Sequence, residues 1–138
     1  MGNNAEQAEL WNGRMGHSWV QVESYIDRML APISDHAIQS MAAKPGERII
    51  DIGCGCGTTT ISLAADGASV WGVDISDAMI TQAKRKDTGS AEVHFSVGDA
   101  AMQSYTPDHD GVFSRFGCMF FDDPVAAFTN IQIGRAHV

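Results

Sequence analysis

The residues with the clearest chemical potential form a glycine loop, D-x-G-x-G-x-G, in which Asp51 precedes Gly53, Gly55 and Gly57. The loop follows a short apolar run, and because glycine has no Cβ atom its backbone can turn sharply and approach a ligand closely. A second apolar run ends on a carboxylate, Asp74. Together these features predict a pocket for a nucleotide-type cofactor at the carboxyl ends of two neighbouring strands.

The spacing of the glycines argues against a dinucleotide cofactor. A G-x-G-x-x-G fingerprint that begins at Gly53 would need its third glycine at position 58, where this sequence has Thr58. An NAD(P)-dependent oxidoreductase is therefore the weaker alternative.

Two helices are predicted to precede the first strand. The capping box of Ser18 and Gln21 begins the first helix and Pro32 ends it, after which Ser34 caps a second helix that ends at Pro45. Several apolar or aromatic residues of the first helix are expected to face the core: Trp19, Val22, Tyr25, Ile26, Met29 and Leu30.

The rest of the chain alternates between strand and helix. Strands are expected at 48–52, 68–74, 91–97 and 110–114, with helices at 58–65, after a cap at Ser76, and from Pro124. This pattern predicts the α/β class: a Rossmann-like doubly wound parallel sheet, of which about four strands, the first half, are present, preceded by two N-terminal helices. The predicted division is a helical cap at 1–45, a cofactor-binding core at 46–131 and a tail at 132–138.

Composition narrows the classes of partner. Seventeen acidic and nine basic residues among 138 give a net charge of -8, whereas nucleic-acid binders need a basic face, so no nucleic-acid partner is expected. The basic cluster Lys84-Arg85-Lys86 lies where a helix should end and complements its dipole. No apolar stretch reaches the roughly 20 residues of a membrane span, so no membrane span is predicted.

The three cysteines suit a reducing compartment, and a cytoplasmic location is expected. Cys54 and Cys56 are spaced C-x-C, with no second pair to complete a tetrahedral zinc site, so no metal is predicted.

The last six residues, 133–138, match the translation of ATC GGA AGA GCA CAC GTC, the start of a widely used sequencing adapter. We therefore expect the native sequence to end near Ile131 and the tail to be non-native. Re-sequencing of the locus tests this, since a native stop codon after Val138 would contradict it.

The assembled motifs resemble class I S-adenosylmethionine-dependent methyltransferases, and most of all the small-molecule group related to the ubiquinone/menaquinone C-methyltransferases. The matching segments are 50–58 (IDIGCGCGT), 72–76 (GVDIS), 98–100 (GDA) and 114–117 (SRFG). The resemblance covers about residues 11–131 and implies S-adenosylmethionine as the cofactor and a small molecule as the methyl acceptor.

The resemblance also implies roles for residues at the strand ends. Asp51 would hold the cofactor's ammonium group, directly or through water, Asp74 the ribose, and Asp99 the adenine amino group. The expected cofactor-binding residues are Asp51, Gly53, Cys54, Gly55, Gly57, Asp74, Ile75, Met79, Asp99, Ala100 and Ser114. Three alternatives stay open: Asp51 as a loop cap, Met79 as ordinary core, and Asp99 as a turn or helix cap.

Five residues are expected near the acceptor: Trp11, Arg14, His17, Arg115 and Phe116. Arg115 could anchor an anionic acceptor or pair with an internal carboxylate, and His17 could be a general base or a capping or surface residue. No dedicated catalytic residue is predicted, because positioning of the two reactants alone can contribute about 7–11 kcal/mol. The alternative function is a truncated fragment that binds cofactor without turnover and exposes strand four as a sheet edge.

Overall fold

The computed structural model describes residues 4–134 and contains one four-stranded parallel sheet. The strands are β1 (Arg48–Ile52), β2 (Ser69–Asp74), β3 (Val93–Val97) and β4 (Gly111–Phe113), in the spatial order β3-β2-β1-β4. The order reverses direction at β1, as in doubly wound folds, so the predicted fold class is confirmed. The strands lie within the predicted ranges, and β4 pairs with β1 alone among the described strands, at the sheet edge.

Alternating residues of the strands enter two apolar clusters, one on each face of the sheet. Ile49 and Val70 pack with Leu63 on one face, whereas Ile50 and Val73 pack on the other. Strands that are buried on both faces need nearly continuous apolar sequence, and this explains the runs that predicted them.

The N-terminal segment forms two helices, but their boundary differs from the predicted one. Helix α1 spans Ala5–Asn12 and α2 spans Arg14–Met41, so the break lies at Gly13 and Pro32 is inside a continuous helix. A proline inside a helix costs about 3 kcal/mol, which tertiary packing of α2 must offset. Ser34 is no cap: its hydroxyl donates to the Leu30 carbonyl oxygen at 3.0 Å.

The predicted inward face of α2 is also wrong in part. Ile26 is buried, but Val22, Tyr25 and Met29 are exposed by 47%, 64% and 60%. The helical spacing is as predicted, but a different face of α2 packs on the domain. That face includes Trp19 and Glu23, which line a cavity.

Three further α-helices follow the predicted pattern: α3 (Thr58–Ala64), α4 (Asp77–Lys84) and α5 (Pro124–Gly134). Ser76 caps α4 by accepting a hydrogen bond from the Met79 amide, and Asp123 accepts one from the Ala126 amide at the start of α5. A 3₁₀ helix at Cys118–Phe120 was not predicted. The residues 135–138 of the expected non-native tail lie outside the described residues. None of the described helices is long and apolar enough to cross a membrane.

Candidate functional site

A cavity of about 170 Å³ lies at the carboxyl ends of β1, β2 and β3. Its sheet side is formed by the glycine loop and by the residues that follow β2 and β3, and its helix side by α1 and α2. The carboxyl ends of parallel strands meet at one edge of a sheet, which is why residues distant in sequence converge here.

The three loop glycines have positive φ angles but different surroundings. A Cβ atom on Gly53 would lie 2.5 Å from the Gly117 Cα, and one on Gly57 would lie 2.6 Å from the Phe95 ring. Gly55 faces more open space, where a Cβ would meet only the Met79 sulfur at 3.7 Å. Gly53 and Gly55 line the cavity, whereas Gly57 does not. Gly53 and Gly57 are therefore required for packing within the protein, and Gly55 leaves backbone accessible to a ligand.

Asp74 lies in the cavity wall and is held in place by the backbone. Its Oδ2 accepts a hydrogen bond from the Gly55 amide at 2.8 Å and its Oδ1 one from the Ser76 amide at 2.9 Å. Burial raises the pKa of this carboxyl, while these amide hydrogen bonds act in the opposite direction. Each carboxylate oxygen has a further lone pair, so Asp74 retains capacity to accept hydrogen bonds from a ligand.

Asp51 is fully buried beneath the loop and does not line the cavity. Its Oδ2 accepts hydrogen bonds from the hydroxyls of Thr59 and Thr60 at 2.7 and 2.8 Å, and its Oδ1 has no partner among the described residues. Burial raises the pKa of Asp51 to about 6. The structure therefore places Asp51 beneath the loop, where it supports the start of α3, and outside the cavity wall.

Asp99 lines the cavity and also organises its own turn. Its Oδ1 accepts hydrogen bonds from the Ala101 amide and from the Asn4 side-chain amide, both at 2.9 Å. The turn-cap alternative and a position in the cavity wall are thus compatible. Ala100, Ile75 and Met79 also line the cavity, whereas Ser114 does not; its hydroxyl donates to the Ile52 carbonyl oxygen at 2.8 Å.

The two loop cysteines, Cys54 and Cys56, line the cavity as small side chains. Burial raises the pKa of the Cys56 thiol to about 12 and that of Cys54 well above its usual value, so both thiols stay protonated at neutral pH. Within residues 4–134, no three His, Cys, Asp or Glu side chains are grouped so that they could hold a metal ion.

Arg115 lines the cavity and is engaged with α2. Its Nη1 donates to the Ser34 hydroxyl at 2.8 Å, and its Nη2 lies 3.9 Å from Asp27 Oδ1. The structure thus shows the second of the two alternatives for Arg115, a pairing with an internal carboxylate. Asp27 Oδ2 also accepts a hydrogen bond from Thr58 at 2.7 Å.

Of the remaining acceptor candidates, two reach the cavity and two do not. Trp11 and Phe116 line it, but Arg14 and His17 are exposed outside it, and His17 Nδ1 lies 2.8 Å from the Gly13 carbonyl oxygen of its own helix turn. The surface alternative for His17 is what the structure shows, because the first turn of α2 directs this residue away from the strand ends.

Several cavity residues were missed from the sequence. Trp19 was expected in the core but lines the cavity, where the Trp11 ring packs at 5.7 Å from it. Glu23, Asp27 and Asn4 were not predicted as site residues at all. The i, i+4 spacing of Trp19, Glu23 and Asp27 on one helix face was a usable signal, whereas no local pattern indicated Asn4.

The fold and the cavity define a doubly wound α/β domain with a cavity at the carboxyl ends of its strands. The sequence model of a methyltransferase domain family matches residues 49–133, more than half of the chain, and the chain belongs to that family. This confirms the predicted family, the class I S-adenosylmethionine-dependent methyltransferases.

Individual relatives place the chain within this family. It is 32% identical over 129 residues to a ubiquinone biosynthesis O-methyltransferase from Aromatoleum aromaticum, covering 86% of this chain and 52% of the relative. A solved structure of phosphoethanolamine N-methyltransferase 2 from Haemonchus contortus, in complex with S-adenosyl-L-methionine, is 29% identical with a TM-score of 0.68, covering 76% of this chain and 26% of that one.

The relatives also limit one prediction. A 23S rRNA (uracil-C5)-methyltransferase from Thiobacillus denitrificans is 29% identical over 77% of this chain and 24% of its own length. The absence of a nucleic-acid partner is therefore not confirmed. The chain spans about half the length of the first of these relatives and a quarter of the others.

Proposed function

We propose that this chain binds S-adenosylmethionine in the strand-end cavity and directs methyl transfer to a small-molecule acceptor by in-line displacement. The observation that carries the proposal is the joint position of Gly55 and Asp74 in one cavity wall, with Asp74 fixed by two backbone amides. The proposed division is a helical cap at 1–45 over a cofactor-binding core at 46–131.

The residues present fit the cofactor. Asp74 offers a preorganised carboxylate to the two ribose hydroxyls, and Asp99 offers one to an adenine amino group. Gly55 leaves room for close approach of the methionine part, because a side chain there would occupy open cavity space. Four carboxylates line the cavity: Glu23, Asp27, Asp74 and Asp99. Lys86 pairs with Glu23 and Arg115 with Asp27, so among the described residues the uncompensated negative charge is that of Asp74 and Asp99, and it favours a cationic ligand such as a sulfonium.

The bound cofactor supplies an activated methyl group on a positively charged sulfur. Transfer would join the acceptor atom to the methyl carbon and break the methyl–sulfur bond, with the electron pair left on sulfur and a proton released from an acceptor atom that carries one. The chain's own contribution is to hold the two reactants in line and to exclude water, for which fixed cavity walls suffice.

The acceptor is proposed to be a small molecule that reaches the cavity beside Trp11, Trp19 and Phe120. The Trp11 and Phe120 ring centroids lie 5.7 Å apart, so this side of the cavity is aromatic. Glu23 forms an ion pair with Lys86, and Asp27 lies near Arg115, so the charges on the helix side are largely compensated within the protein.

Calorimetric titration with S-adenosylhomocysteine tests the proposal. We expect the wild-type chain to bind it and Asp74→Ala to weaken binding at least about tenfold, because hydrogen bonds to a charged group contribute about 1.5–3 kcal/mol. Asp66→Ala removes an exposed carboxylate far from the cavity and should bind as the wild type does. Binding of NADH in place of S-adenosylhomocysteine, or no binding by a chain with a folded circular dichroism spectrum, would contradict the proposal.

A further inference from the structure

Asp27 and Arg115 form an incomplete ion pair in the wall of the cavity. Asp27 Oδ1 lies 3.9 Å from Arg115 Nη2, which is too far for a direct hydrogen bond. Both residues line the cavity, and the Arg115 side chain is 14% exposed and that of Asp27 26%. Among the described residues, neither of these two atoms has a hydrogen-bond partner, so each is left with capacity for a ligand.

The other atoms of the pair are fixed by hydroxyl groups of the protein. Asp27 Oδ2 accepts a hydrogen bond from Thr58 at 2.7 Å, and Arg115 Nη1 donates one to the Ser34 hydroxyl at 2.8 Å. Ser34 in turn donates to the Leu30 carbonyl oxygen of α2. The carboxylate and the guanidinium are therefore held in place, with one oxygen of the former and one nitrogen of the latter still unpaired.

A hydroxyl group fits between these two atoms. Its oxygen can lie about 2.8 Å from both, so that it donates to Asp27 Oδ1 and accepts from Arg115 Nη2. An ammonium group can only donate and a carboxylate can only accept, so each would leave one buried partner without a hydrogen bond. The pair thus favours a ligand group that is both donor and acceptor.

The pair lies beside the glycine loop. Thr58, which donates to Asp27, directly follows Gly57 in the chain. Arg115 is two residues before Gly117, and a Cβ atom on Gly53 would lie 2.5 Å from the Gly117 Cα. This is the end of the cavity where the methionine part of the cofactor, with its methyl group, is proposed to lie.

Apolar side chains flank the pair in the cavity wall. Leu30 follows Asp27 by one helical turn, and Phe116 follows Arg115 in the chain; both line the cavity. Phe116 has a φ of 59° and is 52% exposed, and a side chain held in this rarely populated conformation is typical of binding sites. A hydroxyl carried on an apolar ring, as in a phenol, matches these surroundings.

We propose that Asp27 and Arg115 bind the hydroxyl group of the methyl acceptor, with Asp27 as its general base and Arg115 as the donor to its oxygen. As that oxygen bonds to the methyl carbon, its proton passes to Asp27 Oδ1, and the electron pair of the broken methyl–sulfur bond stays on sulfur. Arg115 stabilises the negative charge that develops on the oxygen, and Asp27 afterwards releases the proton to water. The assignment rests on the proposed function, because it takes the methyl group to lie beside the glycine loop.

Transfer of a radiolabelled methyl group to phenol and to 4-nitrophenol tests the role of Asp27. In mildly alkaline buffer 4-nitrophenol is ionised and needs no base, whereas phenol keeps its proton. We expect Asp27→Asn to lower the rate with phenol about 100-fold or more, the contribution of a general base, and to retain most of the rate with 4-nitrophenol. Equal losses with the two acceptors would mean that Asp27 is only structural, and would overturn its role as base.

Arg115→Gln should behave differently, because both acceptors need the hydrogen bond to their oxygen. We expect the rate to fall about tenfold or more with each of them, as for loss of a hydrogen bond to a charged group. Asp35→Asn is the matched control, since Asp35 is an exposed carboxylate of the same helix outside the cavity wall. It should transfer to both phenols at the wild-type rates.

Calorimetric titration gives a readout that needs no turnover. In the presence of S-adenosylhomocysteine, the wild-type chain should bind phenol about tenfold more tightly than anisole, the methyl ether that cannot donate, and Asp27→Asn should remove this preference. Equal affinities in the wild type would overturn the hydroxyl site, as would a chain that binds S-adenosylhomocysteine but transfers to neither phenol. If the wild-type chain does not bind S-adenosylhomocysteine, the proposed function fails, and the same comparison without it still decides whether the hydroxyl site exists.

Discussion

The two sides of the cavity are held together by different interactions. On the sheet side, backbone amides of Gly53 and Cys54 donate to the Val73 carbonyl oxygen, which joins the glycine loop directly to β2. On the helix side, side-chain contacts predominate, such as the hydrogen bond between Thr58 and Asp27. Segments held by a few side-chain contacts open at lower free energy than strands in a sheet, so the helix side is where we expect motion.

Burial differs in the same way. Asp51, Val73 and Ile52 on the sheet side are 0–1% exposed, whereas α2 leaves Tyr25 and Met29 more than half exposed. The sheet side is thus a rigid support that fixes the positions of Asp74 and Gly55. The helix side completes the cavity and can change without disrupting the core.

The largest expected effect on stability comes from Gly53, on the sheet side. Gly53→Ala combines a positive φ of 66° with a Cβ 2.5 Å from the backbone of Gly117, which has no flexible side chain to move aside. We expect a loss of about 3 kcal/mol in the free energy of unfolding, measured by urea denaturation.

Gly46→Ala is the control, since Gly46 also has a positive φ, 82°, but a Cβ atom added there would have no neighbour within 4 Å. It should lose only about 1 kcal/mol, the cost of the backbone conformation. Equal losses in the two variants would show that the close approach of Gly53 and Gly117 does not constrain the sheet side.

The next effect concerns the pH dependence of stability through Asp51. Its pKa is raised from 3.8 to about 6 by burial, so between these values the folded state binds more protons than the unfolded state. Stability should therefore decrease as pH rises from 4 to 6, by up to about 3 kcal/mol from this group. Asp51→Asn should remove this contribution, so that the unfolding free energy measured from pH 4 to 7 falls less steeply.

Asp74 remains in both proteins, and its raised pKa contributes with the same sign, so the difference between the two pH profiles reports Asp51 together with its electrostatic coupling to Asp74. Parallel profiles would contradict the raised pKa. They would also weaken the conclusion that the support beneath the glycine loop is a buried carboxyl.

The sheet side could be predicted from sequence because its signals are local. The run from Asp51 to Gly57, and the strand that ends on Asp74, each lie within a few residues, and the strand pattern fixes where they meet. The local pattern could not show which residues of this loop face the cavity. In the structure, Asp51 and Gly57 belong to the loop but do not line the cavity.

The helix side could not be predicted in the same way, because its contacts join distant residues. The Asn4–Asp122 contact spans 118 positions and the Thr58–Asp27 contact spans 31. Neither contact has a sequence pattern. The predicted helix end at Pro32 is wrong for a related reason, since the local preference of proline for a helix end is overridden by the packing of α2.

The smallest expected effect on stability comes from Pro32, and it tests whether packing holds α2 continuous through this proline. Because Pro32 is exposed within a continuous helix, Pro32→Ala should restore a backbone hydrogen bond without loss of packing. We expect it to raise the free energy of unfolding by about 1–3 kcal/mol in urea denaturation, less than the intrinsic penalty if the helix is locally bent.

Pro107→Ala provides the comparison, because Pro107 is also exposed but lies in a turn. Replacing a turn proline that fits its conformation increases the entropy of the unfolded chain, so stability should fall by up to about 1 kcal/mol. Opposite signs at the two prolines would show that tertiary contacts hold α2 continuous against its local preference. A loss of stability in both variants would instead mean that Pro32 suits its backbone conformation and that a helix ends there. That result would contradict the continuous α2, from which Asp27 and Ser34 both contact Arg115.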